Sequence, residues 1–150
     1  MKRSVCTFAL AAITALGAAA CDEPLSKIAG PTPNLEPTLS SIQREIFAQS
    51  DGSGRIACTG CHTDVGRTPA SGLNLLDGQA YAALVNVPSR GRAGAVLVVP
   101  GNPDASYLLN KLKGVDIVGL RMPRGTTGPF LTDGQISIIQ RWIELGAKND

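Results

Sequence analysis

Apolar residues recur at helical spacing in two segments, residues 39 to 49 and residues 132 to 146. In each segment they repeat every three or four positions, which places them on one face of a helix. The residues that share a face are Leu39, Ile42, Ile46 and Phe47 in the first segment and Ile136, Ile139, Trp142 and Ile143 in the second. The pattern therefore predicts two amphipathic helices.

Polar residues at the ends of these segments support the prediction. Thr38 or Ser40 can cap the first helix, and Ser40 with Gln43 forms a capping-box pattern. Thr132 and Gln135 form a second capping-box pattern, and Gly146 ends the last helix.

Two shorter helices are predicted between them. One covers Gln79 to Val85, and the other begins with Asn102 as the cap and Pro103 at the first helical position, ending at Gly114. The short apolar run from Val96 to Val99 is a possible extended segment, but a single such segment cannot form a sheet. The predicted class is mostly α, with three or four helices joined by long connections, which are unusual in a compact domain unless they wrap around something.

The N-terminus has the pattern of a secretory signal peptide over residues 1–20, with Lys2 and Arg3 before an apolar run and small residues after it. A transmembrane helix is the alternative, but the run is shorter than the ~20 apolar residues that a span needs. Cys21 then resembles the lipidated cysteine of bacterial lipoproteins, with ordinary cleavage before an unmodified Cys21 as the alternative. We expect an exported protein, periplasmic or at the cell surface, anchored to a membrane through Cys21.

Residues 21–37 contain four prolines and no apolar period, which indicates a flexible tether or simply a disordered terminus. The folded domain is then residues 38–150. Because Lys2 and Arg3 leave with the signal peptide, the rest of the chain has no net formal charge. This balance argues against a nucleic-acid partner.

Cys58-Thr59-Gly60-Cys61-His62 is the motif with the most specific chemistry. A C-x-x-C-H run in an exported protein indicates covalent attachment of c-type haem. Each cysteine sulfur would bond one haem vinyl group, and His62 would lie next to the ring as an iron ligand. Gly60 would let the backbone pass close to the porphyrin.

Three alternatives explain the motif less well. A structural zinc site needs four ligands, but Cys58 and Cys61 form the only close cysteine pair and His62 is the sole histidine. A thioredoxin-like dithiol needs a βαβ context that the pattern does not predict. A disulfide between the two cysteines would close almost no loop.

Met122 is the candidate for the sixth iron ligand, since it is the only methionine besides the initiator and follows His62 by 60 residues. Histidine–methionine ligation raises the potential of cytochromes c. The alternative is that Met122 fills a gap in the core. Lys111, Lys113 or Tyr107 could coordinate iron instead, but no pattern favours them.

From about Thr38 to Ala147 the chain resembles a small single-haem cytochrome c domain. The matching pieces, in the family's order, are Ile46-Phe47, Cys58 to His62, Val99 to Pro103, Met122-Pro123 and Trp142 to Ala147. The resemblance implies that the first and last helices cross over one haem edge, where Phe47 and Trp142 are either haem contacts or ordinary core residues. It also implies that a backbone carbonyl, in the region of Pro69 and Gly72, orients His62.

By charge alone, the candidates for binding the haem propionates are Arg90, Arg92, Arg121 and Arg124.

The predicted function is one-electron transfer rather than enzyme catalysis, because no nucleophile–base pair is visible and, with the sole histidine on iron, no free imidazole remains to act as acid or base. Redox proteins are the expected partners, through a transient interface. The alternatives are a haem enzyme or gas sensor with a displaceable sixth ligand, or an accessory haem subunit of a larger oxidoreductase.

Overall fold

The computed structural model describes residues 34–124 and 128–150. In order, the α-helices of these residues are α1 (Leu39–Ile42), α2 (Ala80–Leu84), α3 (Tyr107–Lys113) and α4 (Asp133–Glu144). Three isolated β-bridges occur, and no strand forms among the residues described. The prediction of a mostly α class with three or four helices is confirmed at this level.

The first helix is less regular than predicted. The α-helix ends at Ile42, and a π-helix, Gln43–Phe47, continues it. Thr38 is the cap, and its Oγ1 accepts a hydrogen bond from the Ser41 N–H. The predicted Ser40–Gln43 capping box is wrong, because the Gln43 side chain instead donates to the Leu75 carbonyl at 2.9 Å inside the core.

Helix α3 begins later than predicted. Asn102 does not cap it; its Oδ1 accepts from the Ala105 N–H at 3.1 Å and closes a turn ahead of the helix. Ser106 is the residue that precedes α3. Gly114 ends α3 in the left-handed conformation, at φ +76°, as the pattern predicts.

Helix α4 agrees closely with its prediction. Thr132 Oγ1 accepts from the Gln135 N–H at 3.2 Å, and Gln135 Oε1 accepts from the Thr132 N–H at 3.1 Å. These two bonds form the predicted capping box. Gly146 follows the helix at φ +98°.

One core joins the helices, and both predicted apolar faces lie in it. The N-terminus of α1 meets the end of the chain, where the Ser40 N–H donates to the Asp150 carbonyl at 2.9 Å. Leu35 is also buried, and the Glu36 N–H donates to Ser41 Oγ, so packed structure extends back to Leu35.

The predicted signal peptide, Cys21 and the tether up to residue 33 lie outside the described residues. Within the part of the chain that the structure describes, no helix is long and apolar enough to cross a bilayer.

Candidate functional site

A cavity of about 510 Å³ opens between the helices and the loops that connect them. This volume lies within the range of roughly 300–1,000 Å³ that is typical of cofactor and ligand pockets. All four residues proposed to bind haem line it: Cys58, Cys61, His62 and Met122. Most of its remaining wall is apolar, with Ile46 and Phe47 among the contributors.

The cysteine motif forms a tight turn at the wall of the cavity. Residues Cys58–Gly60 make one turn of 3₁₀-helix, and the Cys58 carbonyl accepts from the N–H groups of both Cys61 and His62. The chain beyond the motif folds back on it, since the Ala70 N–H donates to the Cys61 carbonyl at 3.1 Å. A Cβ at Gly60 would meet no protein atom within 4 Å, so protein packing alone does not require glycine there.

The His62 imidazole is oriented by a backbone carbonyl. Its Nδ1 lies 3.1 Å from the Ala70 oxygen. Because a carbonyl only accepts, Nδ1 carries the proton in this bond and the Nε2 lone pair is left free. Burial lowers the pKa of His62, against the opposing effect of backbone groups of Ala70 and Leu73. The neutral, singly protonated ring is the form that binds a metal.

The two thiols of the motif are free and half-buried. Burial raises the pKa of Cys58 to about 11, although the nearby Arg55 guanidinium acts in the opposite direction. A reactive dithiol needs a lowered thiol pKa, so this environment disfavours the thioredoxin-like alternative.

Met122 reaches the cavity from the irregular segment that follows α3. It is half-buried, it packs against the core, and its N–H donates to the Lys111 carbonyl at 2.9 Å. Packing against the core is also what a gap-filling methionine would show. Met122 and His62 line the same cavity, and two ligands of one iron must do so.

The comparisons with known proteins add no relative. No family model, curated protein or solved structure matches the chain. Over residues 34–124 and 128–150, no group of three or more His, Cys, Asp or Glu side chains is placed to hold a metal ion.

The four arginines suggested for haem propionates separate into two pairs. Arg90 and Arg124 line the cavity. Arg92 pairs with Asp116 at 2.8 Å, and Arg121 donates from Nε to the Leu112 carbonyl at 2.7 Å. Arg90 and Arg124 are therefore the better placed candidates for a carboxylate in the cavity.

Arg90 lies directly over Gly72. A Cβ at Gly72 would overlap with the Arg90 guanidinium, and Gly72 has a φ of +67°. The positive φ favours glycine at this position, whereas the guanidinium is the end of a flexible, exposed side chain and could move aside. The Gly72 backbone thus leaves room for a cationic group at the cavity wall.

The two aromatic residues expected at the haem edge lie in different places. Phe47 lines the cavity, whereas Trp142 is buried in the core and is not among the residues of the cavity wall. The Trp142 indole N–H donates to the Lys148 carbonyl at 2.9 Å, which fastens the chain end to α4.

Sequence reasoning missed a buried ion pair just before the motif. Arg55 is only 1% exposed; its Nε lies 2.8 Å from Asp51 Oδ2, and its Nη1 donates to the Ile46 carbonyl at 3.3 Å. Cys58 Sγ is 3.9 Å from the same carbonyl oxygen. An arginine that directly follows the Gly52-Ser53-Gly54 turn is typical of a solvent-exposed position, so the sequence held no signal for its burial.

Proposed function

We propose that this protein is an exported c-type cytochrome that transfers single electrons through one covalently bound haem. Cys58 and Cys61 would hold the haem, and His62 and Met122 would bind its iron. One observation carries the proposal: the two thiols, the oriented imidazole and the only methionine after the initiator all line one largely apolar cavity.

The cavity suits a flat apolar group with carboxylates at its edge. Among the described residues of its wall none is acidic, and the cationic ones are Arg67, Arg90, Lys111 and Arg124. Apolar walls would exclude water from the ring, and cations in the wall would favour the propionate groups.

Haem bound here would supply the one-electron exchange between ferric and ferrous iron. The chain's own residues would fix the iron between two ligands and keep water out. With His62 and Met122 both binding the iron, no position on it would be left for a substrate, which would favour a carrier over an enzyme or gas sensor. Electrons would pass to partner proteins through a transient interface, whether the chain acts alone or as an accessory subunit.

Covalent attachment is tested by extraction with acidified acetone, which removes non-covalent haem. We expect the colour to stay with the wild-type protein. The double variant Cys58→Ala, Cys61→Ala should retain no haem after extraction and should fold poorly, because the cavity loses its contents. Wild-type protein that releases its pigment would refute the proposal.

The matched control is Cys21→Ser, which removes a cysteine outside the motif. It should keep the haem and the spectrum of the wild type. If Cys21 carries lipid, the same variant should move from the membrane fraction to the soluble fraction, since acyl chains supply the anchor. Wild-type protein found only in the soluble periplasmic fraction would refute the anchor and leave the cytochrome proposal intact.

A further inference from the structure

The segment from Val115 to Met122, here called the Met122 loop, is exposed for most of its length. Val115 is 63% exposed and Val118 is 57% exposed, although both side chains are apolar. Burial of these side chains therefore contributes little to the conformation of the loop. Another set of contacts must hold Met122 at the cavity.

Lys111 makes three contacts with this loop. Its ammonium donates to the Val118 carbonyl at 3.0 Å and to the Leu120 carbonyl at 2.5 Å. Its own carbonyl accepts from the Met122 N–H at 2.9 Å. One residue of α3 thus binds the loop before Met122 and at Met122 itself.

Lys111 is also placed to act on the cavity. It is half-buried and lines the cavity, and no carboxylate of the described residues lies within ion-pair distance of it. Its ammonium donates to two backbone carbonyls instead, and hydrogen bonds from a charged donor are stronger than those from a neutral donor. Tyr107 and Arg121 each add one further bond between the loop and α3.

We propose that Lys111 is the positioning residue that holds Met122 at the cavity. Its ammonium fixes the carbonyls of Val118 and Leu120, so the loop presents the Met122 thioether and keeps it there. This inference rests on the proposed function, in which Met122 binds haem iron. Lys111 does not touch the iron in this arrangement, because its ammonium is engaged by the loop.

Lys111→Gln tests the proposal in the haem-loaded full chain. Two readouts are used: the weak near-infrared sulfur-to-iron band of the oxidised protein, and the affinity of the ferric protein for added imidazole. We expect a weaker band and imidazole binding at least about tenfold tighter, because the variant loses the charge on two hydrogen bonds and one charge-assisted bond alone corresponds to about tenfold. A purely structural role would lower stability without changing either readout in the folded protein.

Lys113→Gln is the matched control. Lys113 belongs to the same helix, is exposed, and bonds the Gln140 side chain at 3.1 Å rather than the loop. It should leave the band and the imidazole affinity unchanged. Lys111→Arg keeps the charge and has N–H donors for both carbonyls, but its longer, planar head places them differently, so both readouts should lie between those of the wild type and Lys111→Gln.

The outcomes separate this inference from the function on which it rests. If the wild type has the band and Lys111→Gln shows the same band and imidazole affinity, the positioning role is refuted and Met122 ligation stands. If Lys111→Gln does not fold, Lys111→Leu decides, because it keeps an apolar stem and removes every donor; it should show the changes expected of Lys111→Gln, and readouts identical to wild type refute the role. A wild type without the band refutes Met122 ligation and the positioning role together.

Discussion

At the scale of single residues, polar contacts decide which atoms face the cavity. The Ala70 carbonyl holds His62 Nδ1, which leaves Nε2 as the free nitrogen. The resemblance to cytochrome c domains predicted that a backbone carbonyl in the region of Pro69 and Gly72 would accept this hydrogen bond. It could not select Ala70, because the choice depends on a left-handed turn at Ser71, where φ is +53°. A non-glycine residue in that conformation leaves no reliable sequence signal.

The Asp51–Arg55 pair makes a testable contribution to stability. Burial raises the pKa of Asp51, but hydrogen bonds from Ser53 and Arg55 outweigh it and hold that pKa below its ordinary value. Asp51→Asn would leave the buried Arg55 cation without its counter-charge. We expect a loss of roughly 3–5 kcal/mol in the free energy of unfolding at neutral pH, measured by urea denaturation.

The same pair predicts the direction of the pH dependence. A carboxyl whose pKa is lower in the folded state stabilises above its unfolded pKa, and this stabilisation is lost as the pH falls through the folded pKa. The wild type should therefore lose stability below about pH 4 more steeply than Asp51→Asn. The exposed Asp64→Asn is the control and should follow the wild type. Parallel acid curves for wild type and Asp51→Asn would contradict the account.

At the scale of elements, the long amphipathic segments were predictable and the short ones were less so. The capping box of α4 appears as the sequence predicts, because Thr132 and Gln135 satisfy each other locally. The start of α3 was misplaced, because Asn102 caps a turn rather than the helix. The π-helix after α1 was not predictable, because the Gln43 side chain bonds Leu75, which lies far along the chain.

Two glycines with the same backbone angle allow a test of how α3 joins the Met122 loop. Gly101 and Gly114 both have φ +76°, but only at Gly114 would a Cβ come close to another side chain, at 2.9 Å from Arg121 Cδ. Gly101→Ala should lose about 1–2 kcal/mol of stability from the backbone conformation alone. Gly114→Ala should lose more and should also weaken the sulfur-to-iron band, because Arg121 precedes Met122.

Thermal unfolding and the near-infrared spectrum of both variants provide the measurement. Both variants have the same backbone strain, so the difference between their losses of stability measures the effect of displacing Arg121. Equal stabilities, together with an unchanged band in Gly114→Ala, would show that Arg121 does not transmit the change to Met122.

At the scale of the whole molecule, the sequence predicted the mostly α class, which is confirmed, and a haem site, which stays a prediction; it did not predict the shape of the cavity. The C-x-x-C-H spacing predicts haem because the chemistry requires adjacent residues. Contacts between residues distant in sequence depend instead on tertiary packing. Two examples are the Arg90 guanidinium over Gly72 and the Lys111 ammonium bound to the Met122 loop. Patterns of local spacing do not contain these contacts.

The proposed site holds one covalently bound haem, with His62 and Met122 as the ligands of its iron. The most direct test is the spectrum of the haem-loaded wild type, recorded oxidised and then reduced under carbon monoxide. We predict a low-spin oxidised form with the weak near-infrared sulfur-to-iron band, and a reduced form that carbon monoxide leaves unchanged. Ready binding of carbon monoxide together with an absent band would contradict the claim and favour an open-iron sensor or enzyme.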